Sequence, residues 1–121
     1  MRVLFVDDDA DIRTIARITL GDVAGWNVTL VGSGQEAVAT AARELPDVIL
    51  LDFMMPGLDG PGTLERLRAQ PATAGIPVIF VTAKTQKGET EAMRAMGARG
   101  IVQKPFDPMQ LPAEVLRILG A

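Results

Sequence analysis

Five side chains able to do chemistry stand at or just past the ends of short apolar runs. Asp7 and Asp8 follow Val3-Leu-Phe-Val6, Asp52 follows Val48-Ile-Leu-Leu51, Thr82 follows Val78-Ile-Phe-Val81, and Lys104 comes just after Ile101-Val102. A carboxylate nucleophile beside a cation, a lysine and a hydroxyl suits the acceptance of a phosphoryl group as an acyl phosphate. The available ligands are oxygens only, which points to a hard divalent cation, Mg²⁺, with Mn²⁺ as a substitute. Phosphoryl transfer needs positioning and charge neutralisation more than acid/base chemistry. The lack of any histidine is therefore no obstacle. It does remove the usual general base and any phosphohistidine relay within this sequence. Cysteine is also absent, which excludes disulfides, thiolate catalysis and Cys-based zinc sites.

The elements between these residues decide whether they can meet. Val3 to Val6 is apolar without alternation and reads as a strand buried on both faces. Asp9 is a candidate N-cap for a first helix carrying Ile12, Ile15, Ala16 and Leu20, which Gly21 to Gly25 ends. Val28 to Val31 reads as strand two. Ser33-Gly-Gln-Glu36 is a capping box opening a second helix, with Ala37, Val38, Ala41 and Leu45 as its buried stripe and Pro46 as its stop. Strand three is Val48 to Leu51, ending in Asp52. A third helix runs from about Pro61 to Ala69, with Leu64 and Leu67 facing in. Strand four is Val78 to Val81. A fourth helix spans roughly Gly88 to Met96, with Ala92, Met93 and Met96 as a thin apolar side and Gly97 after its end. Ile101-Val102 is a short strand five. A fifth helix, capped by Asp107 with Pro108 at N1, buries Leu111, Val115, Ile118 and Leu119, and Pro112 threatens a local break near its start.

Five strands alternating with five helices imply right-handed βαβ units and a parallel sheet covered on both faces, a flavodoxin-like α/β fold. The order 2-1-3-4-5 makes strands one and three neighbours at the switch point. Strands lie about 4.8 Å apart, so Asp7, Asp8 and Asp52 crowd one edge, where they repel and raise each other's pKa unless a cation intervenes. Singly, each residue has a plain structural account: a helix cap, a strand end, a surface lysine. Five suitable groups falling on one edge together are not explained that way.

With 121 residues, 48% hydrophobic and 22% charged, the chain suits one core and one domain, residues 1–121. Its net charge of −3 and pI of about 4.8 lack the basic footprint of nucleic-acid binding. The first apolar segment is too short for a signal peptide or a membrane span, so a cytoplasmic protein without membrane contact is expected.

In Val6-Asp7-Asp8-Asp9, Leu51-Asp52-Phe-Met-Met-Pro-Gly-Leu-Asp-Gly60, Val81-Thr82-Ala83 and Lys104-Pro105-Phe106, in that order and at those separations, the chain resembles the receiver domain of two-component response regulators over nearly its whole length. The resemblance implies that Asp52 is the phosphoacceptor, charged from a histidine kinase or a phosphotransfer protein. It implies Mg²⁺ held by Asp8, Asp52 and the Met54 backbone carbonyl, with Asp7 acting through water. Thr82 and Lys104 would contact the phosphoryl oxygens, and Lys104-Pro105 would be cis. Such a domain is a switch rather than an enzyme, beyond phosphorylating itself from small donors and losing the phosphate. It changes a helix 4, strand 5 and helix 5 face for a downstream partner or output domain.

The sequence also departs from the family. The usual aromatic switch position is Ile101, which can neither swing a ring nor offer a hydroxyl, so coupling between Thr82 and Ile101 is expected to be weaker or to use another element. The positions two after Asp52 and two after Thr82, which tune loss of the phosphate, are Met54 and Lys84. An apolar Met54 cannot orient water, which predicts a long-lived acyl phosphate. Met93, Met96 and Met109 are read as core filling in preference to an adaptable docking face, and Trp26 as local packing. An aspartate-nucleophile phosphatase of the haloacid-dehalogenase type would need a second Asp where Met54 stands. A nucleotide binder would need a glycine-rich phosphate loop, which follows none of the strands. A receiver that signals without phosphate is disfavoured by the intact acidic pocket.

Overall fold

Unbroken apolar strands need helices on both faces, and the computed structural model, which describes residues 1–83 and 87–120, has that arrangement. Lys84 and Ala121 lie outside the described residues. The strands are β1 (Arg2–Val6), β2 (Asn27–Val31), β3 (Val48–Asp52), β4 (Val78–Thr82) and β5 (Gly100–Gln103). The helices are α1 (Ala10–Ala16), α2 (Gly34–Glu44), α3 (Gly60–Ala69), α4 (Lys87–Ala95) and α5 (Leu111–Leu119). All pairings are parallel and the order is β2-β1-β3-β4-β5, so the doubly wound, flavodoxin-like fold read from the sequence is the observed one.

The two-residue period of each strand divides the core into two layers. Val3, Phe5, Val48, Leu50, Ile79 and Val81 pack with Ala16, Leu20, Leu111 and Val115, beneath α1 and α5. Leu4, Val6, Ile49, Leu51, Val78 and Phe80 pack with Ala37, Ala41, Leu64, Leu67 and Met93, beneath α2, α3 and α4. Trp26 packs locally against the first layer.

The first helix does end within Gly21 to Gly25, with Ala24 as its cap and Gly25 following at φ 77°. The chain continues from α1 to that point as a π-helical segment, Arg17–Val23, which buries Thr19 and Leu20. Two other helix boundaries differ from the sequence reading, each for a physical reason. Leu45 is not in the α2 stripe but is the exposed, left-handed residue that ends the helix (φ 49°), and Thr40 is the buried position instead. Asp107 does not cap α5. It heads a separate turn, accepting the Met109 N–H on its side chain (2.9 Å) and the Gln110 N–H on its carbonyl (2.9 Å). Pro112 explains the displacement. It has no N–H for the Pro108 carbonyl, which accepts the Thr19 hydroxyl instead, and the helix starts at Leu111 with Pro112 in its first turn.

Of the three methionines read as core filling, only Met93 is buried; Met96 is 45% exposed and Met109 77%. Ala92 is exposed too, so Met93 alone carries the apolar side expected of α4.

Candidate functional site

The carboxyl ends of β1, β3, β4 and β5 bring the five sequence-predicted groups to one edge. Val6 pairs with Leu51, so Asp7 and Asp52 are the next residues along two neighbouring strands. Asp52 pairs with Val81, the residue before Thr82, and Thr82 pairs with Gln103, the residue before Lys104. The backbone continues this register past the strands: the Asp7 N–H donates to the Val31 carbonyl (3.2 Å), Phe53 N–H to Val81 (3.0 Å), and Lys104 N–H to Thr82 (2.7 Å).

From β5 the Lys104 side chain reaches across the end of β4 into the acidic cluster. Its Nζ lies 2.7 Å from Asp7 Oδ2 and 3.3 Å from Asp52 Oδ1, so one ammonium bridges two buried carboxylates. Asp7, Asp8 and Asp52 each offer an oxygen within 4.8 Å of the others. Asp7 and Asp52 are buried and Asp8 is exposed, which leaves the cluster open on one side. The Asp9 N–H donates to Asp7 Oδ1 (2.9 Å), while Asp9 accepts from the Asp11 and Ile12 N–H groups as the α1 cap. The Lys104-Pro105 peptide is cis.

Burial is the first cause that moves the Asp52 carboxyl up, to about 6, and the negative charge of Asp7 is the second. Lys104 and the Met54 N–H, which donates to Asp52 Oδ1 (3.3 Å), act against that rise. Desolvation alone would lower the Lys104 pKa, but its hydrogen bond and charge pairing with Asp7, followed by Asp52, raise it overall. Repulsion between carboxylates is therefore only part of the electrostatics, because Lys104 already compensates much of it.

The loop after Asp52 is held by a close approach. A Cβ on Gly60 would lie 2.7 Å from the Asp52 carbonyl and from the Phe53 Cα and carbonyl, and the Gly60 N–H donates to the Phe53 carbonyl (3.0 Å). Asp59 caps α3 by accepting the Gly62 N–H (2.8 Å). Phe53 stacks edge-on against Phe80 at 5.1 Å. The Met54 side chain is 76% exposed, on the rim it shares with Thr82. Thr82 is buried, and Ile101 is half-buried against the layer beneath α2, α3 and α4.

The sequence reading missed Arg13. One turn into α1, its Nη1 donates to the Asp7 carbonyl (2.7 Å) beside Gly32. The signal available was a basic residue four positions after the Asp9 cap, placed to reach back over the acidic loop.

A doubly wound sheet with an acidic cluster and a reaching lysine at its switch point defines a signalling domain of the phosphoacceptor class. Residues 3–116 match the model of the response regulator receiver domain, and the chain belongs to that family. It is 39% identical over 115 residues to the DNA-binding response regulator MtrA of Mycobacterium tuberculosis, covering 94% of this chain and 48% of MtrA. The chain thus spans about half the length of that relative. Chemotaxis protein CheY4 of Vibrio cholerae superposes with a TM-score of 0.90 at 34% identity, covering 97% of each chain. The receiver domain of sensor histidine kinase PA1611 from Pseudomonas aeruginosa, which has a magnesium ion coordinated in its active site cleft, superposes at 0.86 with 32% identity over 99% of this chain and 98% of its own.

Proposed function

We propose that residues 1–121 form a single phosphoacceptor domain that takes its phosphoryl group on Asp52 from the phosphohistidine of a histidine kinase or a phosphotransfer protein. The observation that carries this reading is the Lys104 ammonium bridging Asp7 and Asp52 beside a third carboxylate. An Asp52 carboxylate oxygen attacks phosphorus; the new P–O bond forms as the P–N bond to histidine breaks, and the imidazole leaves with the electron pair. With its pKa raised only to about 6, Asp52 is mostly ionised at neutral pH and able to attack. Lys104 already sits against the nucleophile and offers its N–H groups to a phosphoryl oxygen, while the Thr82 hydroxyl serves another.

The donor set suits Mg²⁺: hard oxygens only, two carboxylates buried and one exposed, all within reach of one ion. Asp8, Asp52 and the Met54 carbonyl would hold it, with Asp7 acting through water, and Mn²⁺ would substitute. When bound, the ion would neutralise charge on the phosphoryl oxygens as it transfers. Asp7 stays fixed by Asp9 and Lys104 and keeps the cluster's geometry.

Thr82 and Ile101 then couple the phosphoryl group to the face of α4, β5 and α5, where a protein partner or an output domain is read as docking. Ile101 couples by aliphatic packing alone, which makes the link weaker than an aromatic one. The DNA-binding name of MtrA belongs to a protein about twice this length. A chain of net charge −3 gives no basic footprint of its own, so nucleic acid and membrane are left out of the proposed partners. No helix among the described residues is long and apolar enough to cross a membrane, and a cytoplasmic location is part of the same proposal.

The deciding experiment is intact-protein mass spectrometry after incubation with acetyl phosphate, with and without MgCl₂, on wild type and Asp52→Asn. The reading requires one Mg²⁺-dependent phosphate adduct that the variant lacks. A folded wild type that takes up no phosphate would bring phosphate-independent binding to the front.

A further inference from the structure

Asp7 is held from four directions. Its N–H donates to the Val31 carbonyl (3.2 Å), its Oδ1 accepts the Asp9 N–H (2.9 Å), and its Oδ2 meets Lys104 Nζ (2.7 Å). The fourth hold is the Arg13 guanidinium, whose Nη1 donates to the Asp7 carbonyl at 2.7 Å. That distance is at the short, strong end for a charge-assisted bond. Arg13 is half-buried, and among the described residues no carboxylate lies within ion-pair distance of it. Its positive charge is thus directed at the backbone of the acidic loop rather than spent on a side-chain partner.

Gly32, just after β2, supplies the room. A Cβ there would lie 3.1 Å from Arg13 Nη1, 3.6 Å from its Cζ and 4.0 Å from the Asp7 carbonyl oxygen. Gly32 is not among the glycines with positive φ, so backbone conformation does not call for glycine at this position. A methyl group there would instead press on the guanidinium and shift it by a few tenths of an ångström.

We propose that Arg13, seated on Gly32, is a positioning residue. Its bond to the Asp7 carbonyl sets the course of the loop between β1 and α1 and so the direction in which Asp7 and Asp8 face Asp52. This rests on the phosphoacceptor reading, since the loop's direction matters to function only if those carboxylates serve a cation. Groups that orient ligating residues from behind change metal affinity by about 10–100-fold when removed.

The test uses the full chain as Arg13→Met, Arg13→Lys, Gly32→Ala and the Gly32→Ala/Arg13→Met double variant. MgCl₂ affinity is read from amide shifts of the loop in ¹⁵N spectra, and acetyl phosphate uptake is followed against MgCl₂ concentration. Arg13→Met should weaken Mg²⁺ by about tenfold, with the rate at saturating MgCl₂ falling less than about threefold. Arg13→Lys should recover most of the affinity, because it keeps a cation able to donate one hydrogen bond. Gly32→Ala should weaken Mg²⁺ in the wild-type background and add little to Arg13→Met. Folded variants with unchanged Mg²⁺ affinity, or a Gly32→Ala effect equal in both backgrounds, would overturn the role of Arg13. If Arg13→Met does not fold, Gly32→Ala and Arg13→Lys decide alone: weakened and near-normal affinity respectively support the role, and unchanged affinity in Gly32→Ala overturns it. A wild type that neither binds MgCl₂ nor takes up phosphate would overturn the phosphoacceptor reading itself.

Discussion

Replacing Asp52 by Asn should make the metal-free domain more stable at neutral pH. Asp52 is 5% exposed, and burial followed by the charge of Asp7 lifts its carboxyl from 3.8 to about 6 despite the pull of Lys104. A carboxyl whose folded pKa is above its unfolded one binds its proton more tightly in the folded state. Folding is then favoured below pH 3.8, loses stability as pH rises from 3.8 through about 6, and is penalised by a constant amount above that. At about 1.4 kcal/mol per pH unit, the gap amounts to a penalty of about 3 kcal/mol at pH 7.5. Asn carries no charge to desolvate, still accepts the Met54 N–H, and leaves Lys104 its shorter contact with Asp7. The 3.3 Å ion pair to Lys104 that the variant gives up is already counted in that net rise, so a gain of up to about 3 kcal/mol is expected. Urea unfolding in EDTA, followed by the fluorescence of the single tryptophan, Trp26, measures it at pH 7.5 and pH 4. The gain should shrink towards zero at pH 4, and MgCl₂ should narrow it at pH 7.5 by stabilising the wild type more. An Asn variant no more stable than wild type at pH 7.5, or a gain equal at both pH values, would refute the reasoning.

Lys104→Ala leaves two buried carboxylates without their cation and should lose about 2 kcal/mol in the same unfolding assay, with acetyl phosphate uptake slowed at least tenfold, about 1.4 kcal/mol of barrier. Gly60→Ala places a methyl group 2.7 Å from three backbone atoms of Asp52 and Phe53, and a melting curve should show a loss of about 2 kcal/mol or more. Met54→Asn puts a polar group on an exposed rim beside Asp52, where it can hold an attacking water. The acyl phosphate, expected to be long-lived in the wild type, should then decay at least about tenfold faster by phosphate-release assay, whereas a wild-type half-life of seconds would contradict the role given to Met54. Beryllofluoride should move the Ile101 and α4 amide resonances only modestly, and large shifts there would show that aliphatic packing couples the two as well as a ring does.

What the sequence made legible depended on whether the cause could be read from residue types and their spacing alone. Strands such as Val48 to Leu51 were readable because burial on both faces leaves no polar position to confuse the run. The edge that carries the candidate site followed, since Asp52 and Lys104 stand at or just past strand ends and parallel topology carries all such ends to one side. One helix boundary that misled was set by a partner distant in sequence. Pro112 looked like a defect within a helix capped by Asp107, and became the second residue of a later one because the Pro108 carbonyl found the hydroxyl of Thr19, 89 residues away. Leu45 fits the apolar stripe of α2, yet the chain must reverse before Pro46, and the left-handed turn takes Leu45 out into solvent. Met96 and Met109 have the spacing of core residues but meet no facing layer, so hydrophobicity alone misplaced them. Arg13 was the hardest to see. Its role lies in a bond to a backbone carbonyl, a group every residue has, and in the missing side chain of Gly32, so neither partner differs in kind from an ordinary surface arginine and loop glycine until the loop folds over them.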